Sequence, residues 1–190
     1  NDAPPPPPNP PRPDAAGRGS YKEAVAGVKV LQRHGVPFNA LTVVNSHSAD
    51  HPLEIYRHLR DDLGIQYHQY IEETTGELAV SARQWGDFLI ALFDQWVRHD
   101  VGQIFVELFD CTLANWCGVP PGICIFARDC GHAGVMEYNG DVYSCDHFVF
   151  PEYKLGNIRQ QTLTEMLYGP KQQQFSDIKH GSLPRQCREC

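Results

Sequence analysis

Five cysteines near the C-terminus constrain the fold of this 190-residue chain more than any other feature. Cys124, Cys130 and Cys145 lie in a polar segment that contains several glycines and aspartates, and Cys187 and Cys190 form a CxxC pair where the sequence ends. Apolar packing does not account for thiols in such surroundings, whereas soft thiolates at these spacings are typical ligands of iron or zinc. The pattern therefore predicts a metal-binding domain that is one part of a larger metalloprotein.

A turn between two of these cysteines indicates how they come together. Asn139-Gly140 lies between the runs VMEY and DVYSC, an arrangement typical of a β-hairpin. Iron–sulfur ligands come from short loops and hairpins because several thiolates must converge on one small cluster. A hairpin at this position would return Cys145 towards Cys124 and Cys130.

The CxxC pair does not by itself identify the metal. The two residues between Cys187 and Cys190 allow one turn to present both thiolates to the same ion. These spacings fit a zinc ribbon and an iron–sulfur site alike, and buried free thiols are a third reading. Cys111 and Cys117, in the run DCTLANWCG, have a less typical arrangement, and we predict that they are ordinary thiols.

Composition predicts a soluble globular protein of the cytoplasm. The residues are 42% hydrophobic, and no apolar run approaches the roughly 18 residues needed to span a membrane. The sequence does not open with a secretory signal pattern. A net charge of −7 without clusters of Lys or Arg argues against nucleic acid as a partner. Seven cysteines, an odd number, fit a reducing compartment better than a closed disulfide framework.

The N-terminal part of the chain is predicted to be an α/β fold. Residues 1–19 are rich in proline, which fixes φ and removes backbone donors, so they are expected to be extended or disordered. Hydrophobic periodicity then predicts a helix from Ser20, capped with Glu23, to His34-Gly35, a strand at 36–45, a helix at 52–63, a strand at 64–72, a helix at 81–100 and a strand at 104–109. This alternation implies parallel strands with covering helices, as in part of a (β/α) barrel.

A second domain is predicted to begin near residue 110, where Gly, Asp, Cys and aromatic residues become frequent. Within it, Thr162 and Glu165 form a capping-box pattern at the start of a short helix, which we expect to support the loop carrying the CxxC pair. The predicted divisions are a proline-rich segment at 1–19, an α/β part at 20–109 and a small cysteine-rich α+β domain at 110–190.

Four runs of the sequence carry a family resemblance: FNALTVVN, QWGDFLIALFDQWVRHDVGQIFVELFD, CGHAGVMEYNGDVYSCDHFVFPEYKLGNI and LPRQCREC. They resemble the anaerobic sulfatase-maturating enzymes, which are radical S-adenosylmethionine proteins that oxidise a cysteine or serine of a sulfatase to formylglycine. The likeness extends from Gly17 to Cys190. It implies a partial α/β barrel for the catalytic cluster, followed by a SPASM-type domain with two auxiliary [4Fe–4S] clusters.

The resemblance also implies roles for the cysteines. Cys124, Cys130 and Cys145 match three ligands of the first auxiliary cluster. Cys187 and Cys190 match the opening pair of the family's CxxCxxxxxCxxxC motif, and so correspond to ligands of the second cluster. The remaining cysteines of that motif would lie beyond residue 190.

Two further residues take roles from the resemblance. Asp146 matches the family's proposed general base, which takes a proton from the substrate side chain, and partial burial near a cluster would raise its pKa. A turn aspartate that caps backbone amides is the alternative, and His147 is expected only to shape the site. Arg12 falls where the family binds the carboxylate of S-adenosylmethionine, a task that suits a guanidinium group, although its proline-rich surroundings depart from the family.

The family's CxxxCxxC loop, which binds the catalytic cluster, does not occur in the sequence, and its place would be before residue 1. We therefore expect the chain by itself to be a fragment that does not generate the radical. The implied partners of the full enzyme are a sulfatase carrying a Cys/Ser-x-Pro-x-Arg motif and an electron-transfer protein such as a flavodoxin or ferredoxin. The alternatives are another peptide-modifying maturase with the same C-terminal domain and a non-catalytic zinc-binding scaffold.

Overall fold

The computed structural model describes residues 19–189. The chain divides into two compact units, with the division between Leu113 and Ala114, and each unit contains a three-stranded sheet. Within the described residues, no helix combines the length and apolar character that crossing a membrane requires. Arg12, Cys190 and nearly all of the proline-rich segment lie outside the described residues.

The N-terminal unit is a parallel sheet with helical connections. Its strands are β1 (Ala40–Val44), β2 (Tyr67–Glu72) and β3 (Phe105–Val106), in the order β1-β2-β3. Its helices are α1 (Tyr21–Arg33), α2 (Pro52–Arg57), which continues into a π-helical turn at His58–Asp62, and α3 (Ala82–His99). Ala40 pairs with His68 across β1 and β2, and Tyr67 pairs with Phe105 across β2 and β3. The predicted α/β alternation with parallel strands is confirmed.

Several predicted element ends in this unit are wrong. Ser20 does not cap α1, because its φ of −90° and ψ of 7° depart from the extended conformation of an N-cap and its side chain makes no capping hydrogen bond. β1 begins at Ala40 rather than at residue 36. Leu41 is 55% exposed, so β1, an outer strand of its sheet, is only partly buried.

The strand predicted at 104–109 gives way early to a helix. Only Phe105–Val106 pairs with β2, and helix α4 (Glu107–Trp116) follows without an intervening loop. Glu107 and Asp110 lie in the first turn of α4, where the helix dipole favours carboxylates. The local preference of these residues explains why the apolar run does not continue as a strand.

Helix α3 supplies much of the core of the N-terminal unit. Its capping box is formed as follows: the Ser81 hydroxyl accepts from the Gln84 backbone N–H at 3.2 Å, and the Ser81 N–H donates to Oε1 of Gln84 at 3.2 Å. Phe88, Leu92 and Trp96 are buried on one face of the helix, as its periodicity predicts. Trp96 also donates its indole N–H to the carbonyl of Ile104 at 2.8 Å.

A buried acidic group joins α2 to the end of α3. Asp100 accepts a hydrogen bond from the Tyr56 hydroxyl at 2.9 Å and an ion-paired hydrogen bond from Arg60 at 2.7 Å. Burial, together with the hydrogen bond to Asp100, raises the pKa of Tyr56. Because every charge in this group has a partner, the cost of burying it is offset.

His68 is a core residue. It is 1% exposed, its Nε2 lies 2.9 Å from the carbonyl of Ile65 and its Nδ1 lies 3.1 Å from the hydroxyl of Tyr70. A carbonyl only accepts, so Nε2 carries the hydrogen and Nδ1 accepts from Tyr70. Burial lowers the pKa of His68, and the hydrogen bond to Ile65 partly opposes this.

We expect the stability of the N-terminal unit to fall on acidification because of His68. Its folded pKa lies below its ordinary value of 6.5, so the unfolded chain binds the proton first as the pH falls. The contribution is complete above about pH 6.5 and is lost below it, by at most about 1.4 kcal/mol per pH unit. Denaturant titrations of His68→Gln should show a weaker pH dependence than the wild type. The exposed His34 provides the matched control, and equal slopes in wild type and His68→Gln would contradict this account.

The C-terminal unit is a small antiparallel sheet with short helices. Its strands are β4 (Val135–Met136), β5 (Asp141–Tyr143) and β6 (Lys154–Asn157), in the order β4-β5-β6. Its helices are α5 (Leu163–Leu167), α6 (Pro170–Gly181) and α7 (Arg185–Glu189), and single 3-10 turns lie at Cys124–Phe126 and Pro151–Tyr153. Val142, Met166 and Phe175 are its buried apolar residues.

The helices of this unit were only partly predictable. The Thr162 hydroxyl accepts from the Glu165 N–H at 3.2 Å and the Glu165 carboxylate accepts from the Thr162 N–H at 2.9 Å, which confirms the predicted capping box. Helix α5 packs against β6 and α6. The CxxC pair begins inside helix α7 at Cys187, not in the loop that we expected. Helix α6 was not predicted, because its sequence is mostly polar.

Candidate metal centre

A hairpin positions Cys145, as the sequence predicts. β4 and β5 pair antiparallel, with Val135 opposite Tyr143, and Cys145 follows two residues after β5 ends. The turn differs from the two-residue Asn-Gly form. The Gly140 N–H donates to the carbonyl of Glu137 at 2.9 Å, and among the four residues of this turn only Gly140 has positive φ, at 87°. This is a type I turn followed by a left-handed glycine.

We expect Gly140→Ala to destabilise the hairpin. Its φ of 87° is unfavourable for any L-residue, and an added Cβ would lie 3.1 Å from Cγ1 of Ile158 and 3.2 Å from Oδ1 of Asn157. The cost should be about 1–2 kcal/mol, measured as the free energy of unfolding. Gly131→Ala is the matched control, because a Cβ there meets nothing within 4 Å. Equal stability of the two variants would contradict the proposed strain.

Cys145, Asp146 and His147 form a cluster of ligand atoms directly after the hairpin. One atom from each lies within 4.8 Å of the others. The Cys145 thiol donates to Oδ1 of Asp146 at 3.3 Å, and Nδ1 of His147 lies 3.1 Å from the same oxygen. The Asp146 and His147 side chains are 73% and 77% exposed. The predicted general base therefore lies beside a predicted metal ligand and is open to an incoming group.

The pKa values of this cluster follow from these contacts. Burial raises the pKa of the Cys145 thiol, and the charges of Asp146 and Cys124 raise it further. The hydrogen bond from Cys145 is the main cause that lowers the pKa of Asp146. The partial burial expected for Asp146 is not found, because its carboxylate is exposed and accepts from its neighbour. That hydrogen bond needs a thiol, whereas metal binding needs a thiolate.

Cys124 lies on a loop near Cys145, and the loop of Cys130 is hydrogen-bonded to α6. Cys124 begins a 3-10 turn and is close enough for its charge to affect Cys145. The Cys130 N–H donates to the carbonyl of Ser176 in α6 at 3.3 Å. None of the three thiols is in a disulfide. Within the described residues, the ligand atoms that lie within 4.8 Å of one another belong to Cys145, Asp146 and His147, and the three predicted cysteine ligands do not form such a group.

The remaining predicted ligands are distributed differently. Cys187 is exposed on α7, and its partner Cys190 and the predicted cofactor-binding Arg12 lie outside the described residues. Cys111 is buried in α4 and Cys117 is exposed after it. Both are free thiols.

Two residues around the site were missed by sequence reasoning. Gln172 and Lys179 of α6 hydrogen-bond to the backbone of the cysteine-bearing loops. Their run, PKQQQFSDIKHG, contains few apolar residues and is typical of a solvated helix. Only the contacts with distant loops distinguish these two side chains from the exposed glutamines beside them.

A hairpin, free thiols on adjoining loops and a carboxylate beside them define the class of this unit as a candidate iron–sulfur domain. Residues 130–190 match the SPASM family model, described as an iron–sulfur cluster-binding domain. The match includes Cys130, Cys145, Cys187 and Cys190.

The relatives extend this likeness over nearly the whole chain. Over 94% of its length the chain is 45% identical to the serine-type anaerobic sulfatase-maturating enzyme of Bacteroides thetaiotaomicron, and it covers 48% of that protein. It is 34% identical to the serine-type enzyme of Klebsiella pneumoniae, of which it covers 46%. A cysteine-type enzyme of Clostridium novyi is 29% identical, with 50% covered. The resemblance to this family is confirmed, and the chain spans about half the length of these relatives.

A solved structure agrees in fold. Native anSMEcpe with bound AdoMet matches 93% of this chain and 50% of its own, with a TM-score of 0.80 and 24% sequence identity. The same protein with AdoMet and the Kp18Cys peptide gives a TM-score of 0.81. At this identity the match concerns the fold alone. It confirms the predicted fold class, an α/β part followed by a small α+β domain.

Proposed function

We propose that this chain is the auxiliary-cluster half of a radical S-adenosylmethionine enzyme that oxidises a cysteine or serine of a sulfatase to formylglycine. The observation that carries the proposal is the 45% identity, over 94% of the chain, with an enzyme named for this activity. The SPASM match supports it, as do the hydrogen bonds that attach the Cys124 and Cys130 loops to α6. The proposal extends the family's activity to a chain that covers about half the length of the family's members.

The donor set fits an iron–sulfur cluster. Cys124, Cys130 and Cys145 are free thiols on adjoining loops, and thiolates are the usual ligands of [4Fe–4S] clusters. We assign these three to a first auxiliary cluster, and Cys187 with Cys190 to a second. When bound, such clusters accept and pass on the electron released by substrate oxidation. Asp146 and His147 are not thiols, but each has a side-chain atom within 4.8 Å of the Cys145 sulfur.

We assign Asp146 the role of general base. An ionised carboxylate accepts a proton readily, and this one is exposed towards solvent, where a substrate side chain can reach it. Because Asp146 directly follows Cys145, a proton accepted there would lie beside a proposed cluster ligand. Arg12 is assigned to the carboxylate of S-adenosylmethionine on the family's pattern, because a guanidinium group pairs well with a carboxylate.

The proposed partners follow from the activity. The substrate is a sulfatase segment with a Cys/Ser-x-Pro-x-Arg motif, and the electrons leave through a protein such as a flavodoxin or ferredoxin. We propose the cytoplasm as the location, since seven cysteines suit a reducing compartment. The SPASM-type domain is proposed to begin near residue 110.

The test uses the full-length protein, purified without oxygen and reconstituted with iron and sulfide. Iron and acid-labile sulfide are measured, and then peptides with Cys or Ser at the target position are incubated with S-adenosylmethionine and a reductant. Mass spectrometry should detect formylglycine, and a peptide with Ala at the target is the control. Stoichiometric zinc without sulfide would instead identify the non-catalytic scaffold. Cleavage of S-adenosylmethionine with modification of a different residue would identify another peptide-modifying maturase.

A further inference from the structure

We propose that Gln172 and Lys179 of α6 are positioning residues that hold the loops of Cys124, Cys130 and Cys145 in place for a shared metal centre. The inference rests on the proposed function, which assigns these cysteines to one cluster. It goes beyond that function because neither residue is a proposed ligand, and both donate to backbone carbonyls.

Gln172 joins the loops of two cysteines. Its side chain is fully buried, and its Nε2 donates to the carbonyl of Gly131 at 2.8 Å and to that of Ser144 at 3.4 Å. Gly131 directly follows Cys130, and Ser144 directly precedes Cys145. One amide group therefore bridges two chain segments, and both acceptors are carbonyls, which sets its orientation.

Lys179 holds the loop of the third cysteine. Its ammonium group donates to the carbonyl of Cys124, to that of Ile125 at 3.3 Å and to that of Ala127 at 2.6 Å. An ammonium has three donors, and three backbone carbonyls receive them. These contacts close the 3-10 turn that begins at Cys124 and place a positive charge beside it.

All these contacts come from one face of α6. Residues 172, 176 and 179 follow the spacing of four and then three that defines a single helical face, and the carbonyl of Ser176 accepts from the N–H of Cys130. Phe175, on the same face, packs edge-on against Phe148, three residues after Cys145. A single rigid helix thus contacts every cysteine-bearing segment of the first ligand set.

Such an arrangement lowers the cost of assembling the site. Three loops that move independently would have to be ordered when metal binds, whereas loops already attached to one helix lose less freedom. Outer partners of metal ligands are worth about 10- to 100-fold in metal affinity. The charge of Lys179 would also favour the reduced, more negative form of a neighbouring cluster.

The experiment compares variants of the full-length protein reconstituted without oxygen. Gln172→Met and Lys179→Met keep the side-chain length but remove the donors, Lys179→Arg keeps the charge, and Gln174→Met is the control at an exposed position on the same helix. Iron, acid-labile sulfide, the rate of iron loss to a chelator and the midpoint potential of the auxiliary clusters are measured. Circular dichroism of each metal-free variant checks its folding.

We expect Gln172→Met and Lys179→Met to lose iron about 10-fold faster or more, and Lys179→Met to show a more negative midpoint potential. Lys179→Arg and Gln174→Met should resemble the wild type. Iron retention and a midpoint potential equal to those of the wild type in Lys179→Met would overturn the inference. The result for Lys179→Met is sufficient even if Gln172→Met fails to fold. A wild-type protein without iron would overturn the proposed function itself.

Discussion

Replacing Cys145 with alanine is expected to remove about four iron atoms from each full-length polypeptide and to abolish formylglycine formation. Cys145 lies at the end of the hairpin, where its pKa responds to Cys124 and its thiol contacts Asp146. A cluster that lacks one of its thiolates is labile and no longer available as an electron acceptor. Cleavage of S-adenosylmethionine in the absence of peptide should persist, because the proposed function assigns that step to a different cluster.

The measurement for Cys145→Ala combines iron and sulfide content, electron paramagnetic resonance of the reduced protein and the peptide assay. Cys117→Ala is the matched control, since this thiol is exposed and is not among the predicted ligands. It should leave iron and activity unchanged. If Cys145→Ala kept the full iron content, the assignment of the hairpin cysteine as a ligand would be wrong.

Replacing Asp146 with asparagine should lower the rate of formylglycine formation about 10²- to 10⁴-fold, the usual contribution of a general base. The substitution preserves size and polarity but removes the proton acceptor. Iron content and peptide-independent cleavage of S-adenosylmethionine should stay at wild-type levels. The loss would therefore lie in the step that deprotonates the substrate side chain.

Asp129→Asn is the control for this prediction, because Asp129 is another exposed carboxylate in the same unit. Asp146→Glu, which retains a carboxylate, should recover part of the activity. An unchanged rate in Asp146→Asn would show that the residue is only a turn aspartate, the alternative that the sequence left open. A loss of iron in the same variant would point to a structural role beside Cys145.

The two predictions separate the functions of adjacent residues. Cys145 and Asp146 are neighbours in sequence and share a hydrogen bond, so a general disturbance of the hairpin would affect both iron content and proton transfer. Loss of iron in one variant and of turnover alone in the other would distinguish a ligand from a base. Gly140→Ala, which strains the turn without touching either side chain, reports on the disturbance itself.

Local sequence patterns predicted most of the features that depend on residues a few positions apart, such as helix caps and the hairpin turn. The capping box predicted at Thr162 formed, because its two partners are only three residues apart, whereas the one predicted at Ser20 did not. The hairpin that carries Cys145 likewise follows from a glycine at one turn position. Where a competing local preference was overlooked, as at Glu107 in the first turn of α4, the predicted element was wrong.

The sequence by itself determined the alternation of helices and parallel strands, the hairpin and which cysteines are candidate ligands. These features depend on residue type and short spacing. Only the tertiary structure decided that Asp146 is exposed and that α6 joins the cysteine loops. Gln172 contacts Gly131 across 41 residues, and Lys179 contacts Cys124 across 55. Hydrogen bonds of that range have no local signature, since a buried glutamine and a solvated one look alike until the chain has folded around them.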